Sequence, residues 1–226
     1  MIGYQTTREL KATRAKYRGQ IIPQPVLTIM DAETSRLAAS GLATRALKVG
    51  NTAPDFILPD VHGEPVRLRA LLDQGPVVVV FYRGGWCPYC NLHLRGFQHR
   101  LPAFRELGAK VVAVSPQLPD NSLSTREKNE LAFPVLSDVG NKVARQFGIV
   151  FELSDELIAL YRQFGHALED FNGTDGSREL PVPGTFLLDS EGVIRLAHVD
   201  VDYTRRLDPD DVIEVLKTFK TSKETV

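Results

Sequence analysis

Cysteine is scarce in this chain: two residues in 226, too few to staple a secreted, disulfide-dense scaffold. A basic excess is missing as well. Lys and Arg number 27 against 28 Asp and Glu, for a formal net charge of −1, so nothing favours nucleic acid or an anionic membrane surface as a partner. The arginines at Arg195 and in Tyr203-Thr204-Arg205-Arg206 accordingly read as solvated or ion-paired surface. No apolar run approaches the roughly 20 residues that span a bilayer, and the first eleven residues hold no apolar h-region of a secretory signal. Internal repeats and low-complexity tracts are also absent. An untargeted chain with one close cysteine pair suits the reducing cytoplasm, where such a pair is more often catalytic than structural. Apolar residues make up 43%, enough for an ordinary globular core. The length fits one good-sized domain with an appendage, or two small domains.

Both cysteines fall in Trp86-Cys87-Pro88-Tyr89-Cys90. The apolar run Val77–Tyr82 and two glycines, Gly84 and Gly85, precede them; a helical pattern from Asn91 to about Leu107 follows. In this strand–turn–helix setting a C-x-x-C acts as a redox centre. Pro88 suits the first helical position, where its missing N–H costs nothing, which puts Cys87 at the N-cap. Orphan N–H groups and the positive end of the helix dipole favour an exposed thiolate there. Cys90, three residues on, faces the same side within disulfide reach. The pattern points to a thiol redox enzyme.

Residues 1–46 read as an N-terminal helical extension, broken at Pro23 and Pro25, that packs on the domain or on a neighbouring subunit, so a homodimer is left open. Residues 47–226 read as the main domain. Within it, Val66–Leu68 and Val77–Tyr82 are expected strands, and residues 88–107 a helix with a kink at Gly96 or Pro102. Lys110–Val114 is the next strand. Ser124-Thr-Arg-Glu127 has capping-box spacing and is expected to start a helix. A strand at Phe133–Leu136 and a helix at Val139–Phe147 follow. Residues 149–180 look like an insertion with a helix at Asp155–Phe164 and a polar loop at Asn172–Gly176. A hairpin turning at Asp189–Gly192 and an amphipathic helix at Pro209–Phe219 close the chain. Alternating strands and helices imply an α/β architecture, a central mixed sheet with helices on both faces.

These residues resemble the thioredoxin fold and, within it, the peroxiredoxin-like branch of the alkyl hydroperoxide reductase/thiol-specific antioxidant (AhpC/TSA) family. The likeness spans about Val49 to Phe219. It rests on Val49-Gly-Asn-Thr-Ala-Pro-Asp-Phe56, the Phe81-Tyr82 strand end, Val111-Val-Ala-Val-Ser115 and Thr185-Phe-Leu-Leu-Asp-Ser-Glu-Gly192. Two registers follow from it. In the peroxiredoxin register P-x-x-x-T-x-x-C, Cys90 takes the peroxidatic position, the threonine position falls on Cys87, the proline position on Arg83, and a late arginine position on Pro183. In the thioredoxin register Cys87 attacks a substrate disulfide and Cys90 resolves the mixed disulfide. Trp86 then shields the site, and Arg83 lowers the Cys87 pKa or meets a substrate carboxylate. Val182-Pro183 takes the place of a cis-proline whose backbone docks substrate. The resemblance implies a thiol-dependent antioxidant oxidoreductase acting on disulfides and, more slowly, on hydroperoxides. It implies a thiol reductant of the thioredoxin or glutathione type and no cofactor. A thioredoxin-dependent peroxidase using Cys90 is one alternative. Copper binding or delivery through Cys87, Cys90 and His93 is another, although no second Cys or His pair completes a tetrahedral site.

Overall fold

A computed structural model describes residues 6–174 and 178–221. Helix α1 (Thr6–Lys16) runs into one π-helical turn (Tyr17–Ile21), then α2 (Gln24–Ala39) and the short α3 (Leu42–Arg45). A ribbon of β1 (Ile57–Pro59) and β2 (Pro65–Arg67) precedes α4 (Leu68–Leu72). The centre alternates as β3 (Val77–Phe81), α5 (Pro88–Glu106), β4 (Lys110–Ser115), α6 (Pro119–Lys128), β5 (Val135–Ser137) and α7 (Lys142–Gln146). Then come β6 (Val150–Glu152), α8 (Asp155–Gln163), α9 (Leu168–Asn172), β7 (Glu179–Pro181), β8 (Gly184–Leu188), β9 (Ile194–Val199) and α10 (Pro209–Thr221).

The main sheet has the order β5-β4-β3-β8-β9. Strand β3 is parallel to β4 and antiparallel to β8, and β8 is antiparallel to β9. Both faces of β3 are covered, so its five residues are all buried and read as a continuous apolar run instead of an alternation. Val78, Val80 and Tyr82 pack with Leu94, Phe97 and Phe104 of α5 and Val212 and Leu216 of α10. Val77, Val79 and Phe81 pack on the other face with Phe147, Ile149 and Phe186. Each such side chain contributes about 1.5–3 kcal/mol on burial.

Helix α1 lies against α5. Leu10 joins the core under α5, and a Cβ at Gly96 would run into the Thr6 side chain, so glycine there permits the close approach. Leu37 and Leu42 form a further cluster with Leu157, Leu160 and Tyr161 of α8. Strands β6 and β7 pair antiparallel, Val150 opposite Pro181, and tie the ends of segment 149–181 together. Ser154 caps α8, its Oγ accepting from the Leu157 N–H at 3.3 Å. Of the expected polar loop, Asn172 ends α9, while Asp175 and Gly176 lie outside the described residues.

Two boundaries differ from the sequence reading. Helix α6 begins at Pro119, not Ser124. Proline at the first helical position starts it, the Leu118 N–H is held by the Phe171 carbonyl, and Ser124 sits mid-helix with its hydroxyl on the Asp120 carbonyl at 3.1 Å. Helix α7 starts later than Val139 because Asp138 accepts from the Val143 and Ala144 N–H groups, holding residues 138–141 as a turn. Helix α5 continues through both Gly96 and Pro102.

Candidate active site

The turn leaving β3 is pinned from below. The Gly85 N–H donates to Gln117 Oε1 at 2.8 Å, its carbonyl accepts from Asn91 Nδ2 at 2.8 Å, and Asn91 Oδ1 accepts from Asn129 at 3.0 Å. A Cβ at Gly85 would collide with Thr125 Oγ1, so the glycine lets the turn sit directly on α6. Cys87 then occupies the N-cap of α5 in extended conformation (φ −86°, ψ 115°), with Pro88 as the first helical residue. The Cys87 carbonyl accepts the first helical bond, from Asn91 N at 3.1 Å.

Neither sulfur is exposed. Cys87 is 0% and Cys90 1% accessible, which corrects the expectation of an exposed thiolate: Trp86, Leu92 and Tyr203 pack over the core that holds both. The two cysteines are unbridged. Burial alone would push both thiols up. For Cys87 that effect is outweighed by a hydrogen bond from the Cys90 thiol and by the charges of Arg83 and Arg206, so its pKa falls well below the ordinary thiol value. Cys90 moves the other way, through burial first and then through the bond it donates and the neighbouring Cys87 charge. The two thiols are thus pushed in opposite directions, Cys87 toward the thiolate and Cys90 toward the thiol.

Each sulfur has its own guanidinium. Arg83 Nη2 lies 3.5 Å from Cys87 Sγ and its Nη1 donates to Tyr161 Oη at 2.9 Å. Arg206 Nη2 lies 3.6 Å from Cys90 Sγ. Arg83 is itself buried, which is tolerable because it is boxed by rings: its guanidinium carbon is 4.1 Å from the centre of Tyr203, 5.0 Å from Trp86 and 5.9 Å from Tyr161. Trp86 in turn packs on Tyr161 and His166 with centroids 5.2 and 5.6 Å away. Above this box opens a largely apolar cavity of about 240 Å³, with Arg83 in its wall beside Trp86, Tyr89, Tyr161, Phe164 and Tyr203, and with Ile21 and Met30 from the N-terminal helices.

Val182 and Pro183 are buried behind Arg83 and Tyr161, where they line a small secondary cavity. The described residues contain no cis peptide bond, so Val182–Pro183 is trans and the expected cis-proline is corrected. The trans form is intrinsically preferred by about 0.5–1 kcal/mol, and the backbone on either side is already paired. The Val182 N–H donates to the Ile149 carbonyl at 2.7 Å, and Gly184 pairs with Phe81 in the sheet.

His93 is buried, with Nε2 on the Leu207 carbonyl at 3.0 Å. Among the described residues, no group of three or more His, Cys, Asp and Glu is placed to hold a metal, so His93 does not join the two sulfurs as a third ligand. Tyr161, Tyr203 and Arg206 are the parts of the site that the sequence reading missed. The Tyr-Thr-Arg-Arg run reads as surface, and only its placement after β9, beside the start of α5, turns Arg206 inward.

A family model described as AhpC/TSA family matches residues 49–197. The chain belongs to the AhpC/TSA family. Among the relatives of this AhpC/TSA protein, chloroplastic peroxiredoxin Q of Sedum lineare is 31% identical over 175 residues, covering 77% of this chain and 78% of the relative. Peroxiredoxin Bcp of Escherichia coli K12 is 31% identical over 173 residues, covering 76% and 96%. The crystal structure of the peroxidoxin BcpB from Mycobacterium tuberculosis superposes with a TM-score of 0.60 at 26% identity, covering 76% of this chain and 97% of that one. The protein is therefore a thiol-dependent oxidoreductase of the peroxiredoxin kind, with the thioredoxin-like fold expected from its sequence. No helix among the described residues is long and apolar enough to cross a membrane.

Proposed function

We propose that the enzyme works through the C-P-Y-C pair, with Cys87 as the attacking thiolate and Cys90 as the resolving thiol, on disulfides and, more slowly, on hydroperoxides. The observation that carries this reading is the placement of Cys87 at the N-cap of α5 with the Arg83 guanidinium 3.5 Å from its Sγ, both of which stabilise negative charge on that sulfur. With a hydroperoxide, the Cys87 sulfur takes the distal oxygen, the O–O bond breaks, and the alkoxide leaves with a proton. The resulting sulfenic acid condenses with the Cys90 thiol to a disulfide, releasing water. With a disulfide substrate, Cys87 forms a mixed disulfide and Cys90 displaces the product thiolate. Two reductant thiols then restore the pair. Trp86 screens the turn, and the apolar cavity beside Arg83 admits the organic part of the substrate. In the peroxiredoxin register, the threonine and arginine that stabilise the O–O transition state are replaced by Cys87 and Pro183. Losing preorganised donors costs about 2.7–4 kcal/mol each, which Arg83 and Arg206 offset in part.

Trp86 is the single tryptophan and reports on its neighbour. Stopped-flow fluorescence of reduced protein mixed with hydrogen peroxide should show slow oxidation of the wild type. Cys90→Ser should still oxidise and accumulate a sulfenic acid at Cys87, and Cys87→Ser should be silent. Undiminished oxidation of Cys87→Ser would overturn the assignment and give the peroxidatic role to Cys90.

A further inference from the structure

Residues 17–30 precede the segment 49–197 that the family model matches, yet Tyr17, Ile21, Ile22, Pro23 and Met30 form one wall of the cavity beside Arg83. The π-helical turn presents them there. The Ile22 N–H donates to the Tyr17 carbonyl at 2.8 Å, closing an i→i+5 turn of the kind often found at functional sites. This wall is fixed in place. Across the bend at Pro23, Arg18 forks onto Asp31 at 2.8 and 2.6 Å. Met30 Sδ accepts from Tyr203 Oη at 3.6 Å, and Arg36 donates to the Glu152 carbonyl at 2.7 Å. The facing walls carry the rings of Trp86, Tyr89, Tyr161 and Tyr203, and among the described residues no carboxylate lines the cavity. Ile21 and Phe164 stand at its rim, 49% and 43% exposed. Two donors beside Cys87 are unused: Arg83 Nε and Trp86 Nε1 are buried without a hydrogen-bond partner among the described residues, although a buried indole N–H usually finds one.

We propose that residues 17–30 are the specificity element of the enzyme, completing a pocket for an uncharged hydroperoxide whose oxygen-bearing carbon carries a single aromatic ring. The proposal rests on the Cys87–Cys90 cycle put forward above and leaves its covalent step unchanged. An apolar cavity of about 150 Å³ accommodates benzene, so the 240 Å³ here holds one ring with a short branched substituent. Rings in the wall favour a ring in the ligand through offset and edge-to-face contacts, and the absence of a wall carboxylate suits an uncharged one. The oxygen end lies toward Arg83 and Trp86, where the two unused donors are. Cys87 is fully buried, and the cavity meets its chain neighbours Trp86 and Pro88 and its guanidinium, not the sulfur. The last approach is therefore a displacement of the Trp86 ring, which packing alone holds because its N–H has no partner.

The test compares second-order rate constants for oxidation of the reduced protein by cumene hydroperoxide, tert-butyl hydroperoxide and hydrogen peroxide, in the wild type, Ile21→Asp and Tyr17→Leu. The first two are both tertiary hydroperoxides and differ by a phenyl ring in place of a methyl group. Wild type is expected to react about tenfold faster with cumene than with tert-butyl hydroperoxide, for the extra apolar area buried. Ile21→Asp should lower the ratio of the cumene to the hydrogen peroxide rate about tenfold, by setting a charge at the apolar rim. Tyr17→Leu, which keeps bulk but removes a ring, should lower the same ratio more weakly. Equal rates with the two tertiary hydroperoxides, or a cumene-to-hydrogen-peroxide ratio that neither variant moves, would overturn the proposal while leaving the Cys87–Cys90 cycle standing. If no hydroperoxide oxidises the protein, the peroxide arm of the cycle fails instead. Fluorescence titration of Trp86 with 2-phenyl-2-propanol, which cannot oxidise a thiol, then decides the pocket: saturable binding that weakens in Ile21→Asp sustains it, and no binding to wild type removes it.

Discussion

Arg83 adds to the Cys90 thiol in lowering the Cys87 pKa against burial, through its direct contact with Cys87 Sγ, 3.5 Å away, and it is hard to replace. Lysine would keep the charge but lose the fork that reaches the sulfur and Tyr161 Oη together. The thiolate is the reactive form above the folded pKa of Cys87 and is lost as pH falls through it. Removing the guanidinium must move that midpoint up. Arg83→Gln is expected to raise the pH midpoint of iodoacetamide alkylation at Cys87 by about 1–3 units, with Arg83→Lys in between. An unshifted midpoint in Arg83→Gln would show that the Cys90 thiol and Arg206 suffice. The sequence brought Arg83, Trp86 and both cysteines to notice because they are contiguous and sit between a buried strand and a helix start. It could not do so for Tyr161, Tyr203 and Arg206. Their roles depend on long-range folding of segment 149–181 and of the stretch after β9, and nothing in the local pattern of a Tyr-Thr-Arg-Arg run tells an inward arginine from a solvated one.

Elements were legible where periodicity or composition is strong. The strands at Val77–Phe81 and Lys110–Ser115, the helix after Cys87, the closing hairpin and α10 all follow from apolar runs, caps and turn residues. The start of α6 was not, because Ser124 and Glu127 have capping-box spacing inside a helix that Pro119 had already begun. Nor could the sequence show what α1 does. It reads as charged and weakly periodic, yet it brings Tyr17 to within 6.0 Å of the Tyr89 ring, between the two cysteines. The contact of α1 with α5 depends on Gly96, where an added Cβ would meet Thr6 Oγ1 and lie 3.0 Å from its Cγ2. Gly96→Ala is expected to destabilise the protein by about 1–3 kcal/mol through overpacking, despite the better helix propensity of alanine. Thr6→Ala in the same chain should recover most of that loss, since it removes the two closest atoms and leaves only the Thr6 Cβ, 3.2 Å from the added methyl. Urea midpoints of the two single variants and the double variant measure the coupling. Simple additivity would mean that α1 yields freely and is not held against α5 by this contact.

At the scale of the whole molecule, His93 links α5 to the chain entering α10, through its bond to the Leu207 carbonyl. That carbonyl accepts, so the ring donates from Nε2. Burial first, and then the charge of Arg206, hold its pKa down at about 3, although the Leu207 bond works in the opposite direction. His198 nearby is also depressed, chiefly by burial, with Asp200 and Asp211 opposing and Arg206 adding to the shift. In the unfolded chain an imidazole takes up a proton below about pH 6.5. Between that value and about 3 the unfolded state therefore binds more protons than the folded one. Stability rises with pH across this window, and acid removes it, at up to about 1.4 kcal/mol per pH unit for His93 alone. His93→Gln keeps a donor for Leu207 without the ionisation. It should cost little at neutral pH and should flatten the fall in urea midpoint between about pH 6 and pH 4, leaving only the contribution of His198 and the carboxylates. Unfolding curves of the two proteins over that range decide the matter. Parallel pH dependences would mean that His93 accepts a proton in the folded state, which would require the α5–α10 junction to open and the guanidinium of Arg206 to leave Cys90.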